Sequence, residues 1–391
     1  MSNPAEPTSP FNIEPALTAL AAALHGEGPA VEFTIGDDGA LVVGHLETPG
    51  CDDAVAVVRT SGSTGTPKAT VLTVESLAAS SMATALALKG EGQWLLALPV
   101  QYVAGIQVLV RSLFAGTRPW VMDMSGGFTP EAFTAAALEL TDKIRLTSLV
   151  PTQLQRLLDA PSAETLAVLR RFNAVLLGGA PAPASLLAAA RQAGVRVVTT
   201  YGSAETSGGC VYDGFPLEGV SVRVEQDGRI LLGGDTIAAG YLESPEDTAS
   251  FFEEDGVRWY RTSDLGSIDD DGRLTVLGRA DDVIISGGLK LSAARVQDEL
   301  EKYDGVAAAF VAGVPSIEWG QAVAAYVALE DQVSGPDARG AGAVLEQEWR
   351  RTLGVLAPKT VLVASALLML PNGKPDRLAM TSELNALHQG K

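Results

Sequence analysis

Between residues 54 and 200, short apolar runs rich in Val and Leu alternate with longer stretches whose apolar positions recur at helical spacing. Runs at 54–58, 94–99, 148–150, 174–177 and 195–200 read as strands, and 75–88, 105–115, 152–159 and 182–194 read as helices. Strands that alternate with helices in this way predict an α/β sheet, largely parallel and covered by helices. Several strand ends run directly into Gly, Ser or Thr, and such sheets bind ligands beyond the carboxyl ends of their strands.

After Gly219 the pattern changes to period two, with Val220, Val222 and Val224 alternating against polar neighbours, then Ile230 and Leu232, then Leu274 and Val276. A small β subdomain follows from this alternation. Past Gly278 the chain restarts with a polar turn and a Gly pair, and then with an amphipathic helix whose Val296, Leu300 and Tyr303 share one face. We place a domain boundary near Asp281, giving domains 1–280 and 281–391. The second continues with strand-rich stretches at 306–314 and 323–329, a helix at 344–353 and a tight turn at Pro371-Asn372-Gly373-Lys374. No internal repeat is present.

A chain of 391 residues exceeds what one core usually supports, in keeping with two unequal domains. Its formal net charge of -19 repels nucleic acids and anionic lipid, so a polynucleotide partner is not expected. Bound phosphates would belong to a small ligand in a local nest of backbone N-H groups. With only Cys51 and Cys210 there is no disulfide framework, which fits a reducing cytoplasm. The first residues form no signal peptide. The most apolar stretch, 95–109, is broken by Pro99, Gln101 and Gly105 and is shorter than the ~20 residues a membrane span requires. A homo-oligomer is compatible with the sequence.

The sharpest chemical signal is Thr60-Ser61-Gly62-Ser63-Thr64-Gly65-Thr66-Pro67-Lys68, directly after a strand. Glycines let the backbone wrap an anion, hydroxyls add donors, and Lys68 adds charge. The spacing is not that of a Walker A loop, which places four residues between its first Gly and Gly-Lys-Ser/Thr. In isolation, Glu205 reads as a solvated loop acid and Lys374 as a solvent-facing lysine in a turn.

The loop and four later segments, in order and spacing, resemble the adenylate-forming superfamily of acyl-CoA synthetases, peptide-synthetase adenylation domains and luciferases. The resemblance runs from about Val55 to the end of the chain. It implies a large N-terminal domain of layered sheets and helices with a small β subdomain, followed by a smaller, mobile α+β domain. By this match Tyr201 and Gly202 of Tyr201-Gly202-Ser203-Ala204-Glu205-Thr206 lie against adenine and Glu205 holds Mg2+. Gly178, Gly179 and Ala180 line the base. Asp264 accepts from the ribose hydroxyls, Arg279 reaches the nucleotide and Asp281 is the hinge. Gly287, Gly288 and Lys290 face coenzyme A, and Lys374 serves the α-phosphate, where a cation lowers the barrier to carboxylate attack. Ala204 departs from the Thr or Ser more usual there.

The segments at 98–105 and 149–158 are similar to those of short actinobacterial o-succinylbenzoate-CoA ligases of menaquinone synthesis. The resemblance implies ATP, Mg2+, coenzyme A and a small carboxylic acid as reactants, with Tyr102, Gly105 and Ser203 on the acid side. Arg111 interrupts an apolar helix, and a buried guanidinium demands an anionic partner. It is a candidate for the substrate's second carboxylate; a structural ion pair with a protein carboxylate, or an end that snorkels to water, is the alternative. Only about fifty residues precede the strand at 54, where the family has a longer region. Two other readings stay open: a ligase or carrier-loading domain for another acid, and a nucleotide-binding sensor without turnover.

Overall fold

The computed structural model describes residues 12–36, 39–61, 67–242, 244–329, 336–370 and 375–390. The chain divides into two compact units. The first comprises Met1–Arg223, Leu231–Arg261 and Gly272–Leu274; the second comprises Val224–Ile230, Thr262–Asp271 and Thr275–Lys391. Among the described residues, no helix is long and apolar enough to cross a membrane.

In the first unit a seven-stranded sheet runs in the order Phe215–Pro216, Gly208–Tyr212, Val197–Ser203, Ala174–Leu177, Arg145–Leu149, Gln93–Leu96, Trp120–Val121. The last five are mutually parallel. Ala174–Leu177 is buried at all four positions, as expected of a parallel strand covered on both faces. Phe133, Leu154, Leu169 and Leu186 from helices, with Phe172 just after helix Ala163–Arg171, pack in one core with Leu95, Leu149, Val175 and Leu177 from strands. Local chemistry fixes the helix starts. Thr73 and Ser76 cap helix Val74–Leu88 reciprocally at 3.1 Å. Buried Gln153 caps helix Pro151–Leu158 by accepting from Val150 N, and donates to Ala97 O at 2.9 Å.

A second sheet has the order Gly240–Tyr241, Pro67–Thr73, Ala54–Ser61, Ala30–Ile35, Leu41–Leu46. Here the structure departs from the alternation read along the chain. The strand before the hydroxyl loop does not join the parallel sheet; it returns antiparallel as Pro67–Thr73, with Thr60 opposite Lys68. Lys68 thus stands on the returning strand.

A third sheet, ordered Val220–Val224, Arg229–Gly234, Val257–Ile268, Phe251–Glu254, has Leu274–Arg279 paired to Val257–Ile268. It contains the period-two stretches.

The second unit has its own sheet, ordered Leu289–Ser292, Val283–Ser286, Gly320–Leu329, Val306–Ser316, with Thr360–Ala364 parallel to Gly320–Leu329. Alternate residues of Gly320–Leu329 enter opposite cores. Val323, Ala325 and Val327 meet Val296, Leu300 and Trp349, while Ala322, Ala324 and Tyr326 meet Met380 and Leu384 of helix Arg377–Gln389. Tyr303 packs on the core that holds Val296 and Leu300.

Candidate functional site

In the first unit Glu205 sits in the single turn Ala204–Thr206 that ends strand Val197–Ser203. Its residue is 7% exposed, and one carboxylate oxygen accepts a 2.7 Å hydrogen bond from the Tyr241 hydroxyl. The other oxygen has no partner among the described residues. Mg2+ keeps several waters and takes only one or two carboxylates plus substrate phosphates, so one pinned carboxylate with a spare oxygen suits it. No group of three or more His, Cys, Asp or Glu that could hold a metal occurs among the described residues.

Backbone geometry holds that turn in place. Ser207 is left-handed, with φ 52°. Its carbonyl accepts from Gln107 Nε2 at 2.5 Å and from Ser80 Oγ at 3.1 Å. Thr206 Oγ1 accepts from Ser203 N and donates to Gly208 O at 2.7 Å. Three elements therefore converge on the residues beside Glu205.

Lys68 reaches the ring of the same tyrosine. Its Nζ lies 5.1 Å from the Tyr241 ring centroid and 2.6 Å from Asp247 Oδ1. Burial first, and then the Glu205 charge, push the Tyr241 phenol above its usual range, so it stays protonated and donates. The Tyr241 ring also meets Phe251 edge-on at 5.3 Å. Tyr241 and Asp247 were not singled out by sequence: each is local to a Gly-Tyr or Ser-Pro-Glu-Asp segment that carries no sign of its distant partner.

Gly178, Gly179 and Ala180 follow strand Ala174–Leu177, and Tyr201, Gly202 and Ser203 end the neighbouring strand, so the structure brings these two groups side by side. A Cβ on Gly178 would come within 2.3 Å of Thr200 Oγ1, and one on Gly202 within 2.2 Å of Gly208 O. Both strand ends need glycine for close approach. Tyr102 precedes the first residue of helix Val103–Phe114, and a Cβ on Gly105 would sit 2.3 Å from Pro99 O. Thr60 and Ser61 end strand Ala54–Ser61; Gly62, Ser63, Thr64 and Gly65 lie outside the described residues.

Arg111 is not brought to these strand ends. It lies nine residues beyond Tyr102 on the same helix, about 13 Å along its axis. There it lines a cavity with Trp94 and Leu146, the second residues of strands Gln93–Leu96 and Arg145–Leu149. That is the opposite end of the parallel sheet from Gly178 and Ser203, because helix Val103–Phe114 runs back against the strands.

In the second unit Arg279 and Asp264 form an ion pair at 3.8 Å. Thr262 Oγ1 accepts from Asp264 N and donates to Ile230 O, which orients the segment. The backbone of Asp281 lies in the short turn Ala280–Asp282. Gly287 and Gly288, at φ 58° and 81°, form the two-residue turn between antiparallel strands Val283–Ser286 and Leu289–Ser292, with Lys290 exposed after it. Lys374 lies outside the described residues.

Comparison with known proteins matches residues 19–242 to the AMP-binding enzyme family and residues 296–374 to the AMP-binding enzyme C-terminal domain. A probable 2-succinylbenzoate--CoA ligase of Mycobacterium tuberculosis is 42% identical over 373 residues, covering 93% of this chain and 94% of that one. A 2-succinylbenzoate--CoA ligase of Listeria monocytogenes is 31% identical, covering 85% and 70%. Among solved structures, an ATP-bound RpMatB-BxBclM chimera matches with TM-score 0.74 at 26% identity, covering 91% and 75%. The o-succinylbenzoate CoA synthetase of Bacillus subtilis, in complex with its acyl-adenylate intermediate OSB-AMP, matches with TM-score 0.70 at 27% identity, covering 87% and 72%.

Proposed function

Because the chain belongs to the family of AMP-binding enzymes, we propose that it joins 2-succinylbenzoate to coenzyme A through an acyl-adenylate. The observation that carries this reading is the 42% identity to the mycobacterial ligase across nearly the whole of both chains. The clustering of Lys68, Tyr241 and Glu205 supports it.

In the first half-reaction the substrate carboxylate attacks the α-phosphorus of ATP, a P–O bond forms, and pyrophosphate departs. Lys68 and the hydroxyl loop offer charge and donors to the departing phosphates. A Mg2+ ion at Glu205 would neutralise phosphate charge. Lys374 is assigned to the α-phosphate, where negative charge concentrates. Gly178 to Ala180 and Tyr201 line the adenine, and Asp264 with Arg279 serves the ribose and phosphate. In the second half-reaction the thiol of coenzyme A attacks the acyl carbonyl and AMP leaves. A turn about Asp281 exchanges the Lys374 surface for that of Gly287, Gly288 and Lys290. The acid lies beside Tyr102, Gly105 and Ser203. The reaction is assigned to the cytoplasm, where ATP and coenzyme A are at hand.

The test is a panel of acids with ATP, Mg2+ and coenzyme A, followed by AMP and thioester release. 2-Succinylbenzoate should give both in equal amounts. Turnover of a monocarboxylate with none of 2-succinylbenzoate would overturn the substrate assignment. Lys374→Ala should lose acid-dependent pyrophosphate release yet still make thioester from supplied acyl-adenylate; equal loss of both steps removes its role.

A further inference from the structure

Glu205 is held at both ends. Tyr241 fixes its carboxylate, and the backbone around it is fixed by groups from distant parts of the first unit. Glu205 O accepts from Ala238 N at 2.9 Å, and Ser207 N closes the turn onto Ala204 O at 3.0 Å. The Ser207 carbonyl in turn accepts from Gln107 Nε2 at 2.5 Å and from Ser80 Oγ at 3.1 Å. Gln107 opens the second turn of helix Val103–Phe114 and Ser80 lies in helix Val74–Leu88, and both are 1% exposed. Side chains of two helices thus occupy both lone pairs of one carbonyl. A Cβ on Gly208 would lie 3.3 Å from Gln107 Cγ, so the stem of the amide is packed against the backbone that follows.

Ser207 requires such a brace. Its φ of 52° is left-handed, a conformation that a residue other than glycine adopts only at a cost and keeps only when its surroundings enforce it. The buried Ser207 hydroxyl offsets none of that cost, since it has no hydrogen-bond partner among the described residues. Gln107 is also a poor choice for stability alone. Its Oε1 is buried and unpartnered among the described residues, and an amide with one half unmet gives the fold little net gain. The value of the side chain lies in where its N-H is aimed.

We propose that Gln107 is a positioning residue for Glu205: by holding the Ser207 carbonyl it keeps the left-handed turn, and the turn points the carboxylate at the Mg2+ of bound Mg·ATP. Without the amide, Ser207 relaxes towards the right-handed region, its carbonyl swings away, and the short turn that carries Glu205 loses its fixed direction. This inference rests on the reading of Glu205 as the metal carboxylate.

The test is calorimetric titration of the acid-free protein with Mg·ATP and, separately, with AMP in EDTA. Gln107→Met keeps the length of the side chain and loses the donor. It should weaken Mg·ATP binding roughly tenfold, the worth of one hydrogen bond at this depth, and leave AMP binding unchanged. A role confined to stability would lower the melting temperature and leave Mg·ATP binding as it was. Adding Ser207→Gly, which adopts the left-handed turn without a brace, should recover most of the loss. If Gln107→Met does not fold, Ser80→Ala removes the other donor to the same carbonyl, and its effect with and without Ser207→Gly decides instead. Equal weakening of both nucleotides, unchanged Mg·ATP binding, or no recovery with Ser207→Gly overturns the proposal. Glu205→Gln separates the two ways to fail. If it leaves Mg·ATP binding intact, the metal reading of Glu205 falls and this inference with it; a loss in Glu205→Gln with none in Gln107→Met overturns this inference alone.

Discussion

Tyr241→Phe removes one hydroxyl and nothing else. The ring that meets Phe251 at 5.3 Å and lies beneath Lys68 at 5.1 Å is retained, so packing is held nearly constant. What goes is a 2.7 Å hydrogen bond to the Glu205 carboxylate, between residues 9% and 7% exposed, together with the hydroxyl's contact to Tyr260. A hydrogen bond to a charged group is worth about 1.5–3 kcal/mol, and water cannot easily replace the donor at this depth. Each 1.36 kcal/mol is tenfold, so an effect expressed in the reaction would be roughly 10–150-fold. We expect urea unfolding to show a loss of about 1.5–3 kcal/mol at unchanged slope. Pyrophosphate release should require more Mg2+, because the freed carboxylate samples other rotamers. Combining Tyr241→Phe with Glu205→Gln should give less than the sum of the single losses. A stability change under about 0.5 kcal/mol, with an unchanged Mg2+ curve, would refute the claim that the tyrosine holds the acid.

Two further expectations follow. Gly105→Ala places a Cβ 2.3 Å from Pro99 O, a backbone atom that cannot swing aside, so it should destabilise by about 1–3 kcal/mol in thermal or urea melts; a neutral result would mean that the first turn of the helix shifts freely. Burial pushes the Cys210 thiol up to about 12 from its usual 9.0, so the unfolded chain loses that proton first and stability falls as pH rises from about 9 towards 12. Each such group contributes at most about 1.4 kcal/mol per pH unit, and Cys210→Ala should flatten the measured slope by that share, whereas an unaltered slope would show the thiol ionises alike in both states.

Where sequence reading succeeded, the signal was local. Ala174–Leu177 was legible because four apolar residues lie between Asn173 and a Gly pair, and helix Val74–Leu88 because its apolar positions recur at helical spacing. The return strand Pro67–Thr73 was not read. It opens with proline and lysine, and its polar positions resemble a turn; antiparallel pairing to Ala54–Ser61 makes it a strand. Helix Glu14–Leu24 and the hairpin of Ala30–Ile35 with Leu41–Leu46 were likewise unread before position 54. Lys68 and Glu205 stood out through their motifs, but Asp247 is 179 positions from Lys68 and no periodicity links them. Arg111 was correctly read as a buried cation, yet sequence could not say which end of the sheet its helix reaches.

The ion pair of Lys68 with Asp247 changes what arrival of a nucleotide means. The lysine is not an idle positive charge awaiting phosphate, because an aspartate already neutralises it across 2.6 Å. With both side chains partly solvated, that bond is worth about 1 kcal/mol or less, a toll small enough for a polyphosphate to overcome. On the role proposed for Lys68, entry of ATP would be a swap of one anion for another, with the difference between them as its driving force. A triphosphate would then displace the aspartate easily while a singly charged competitor would gain almost nothing, so the acid would act as a threshold that sorts callers by charge.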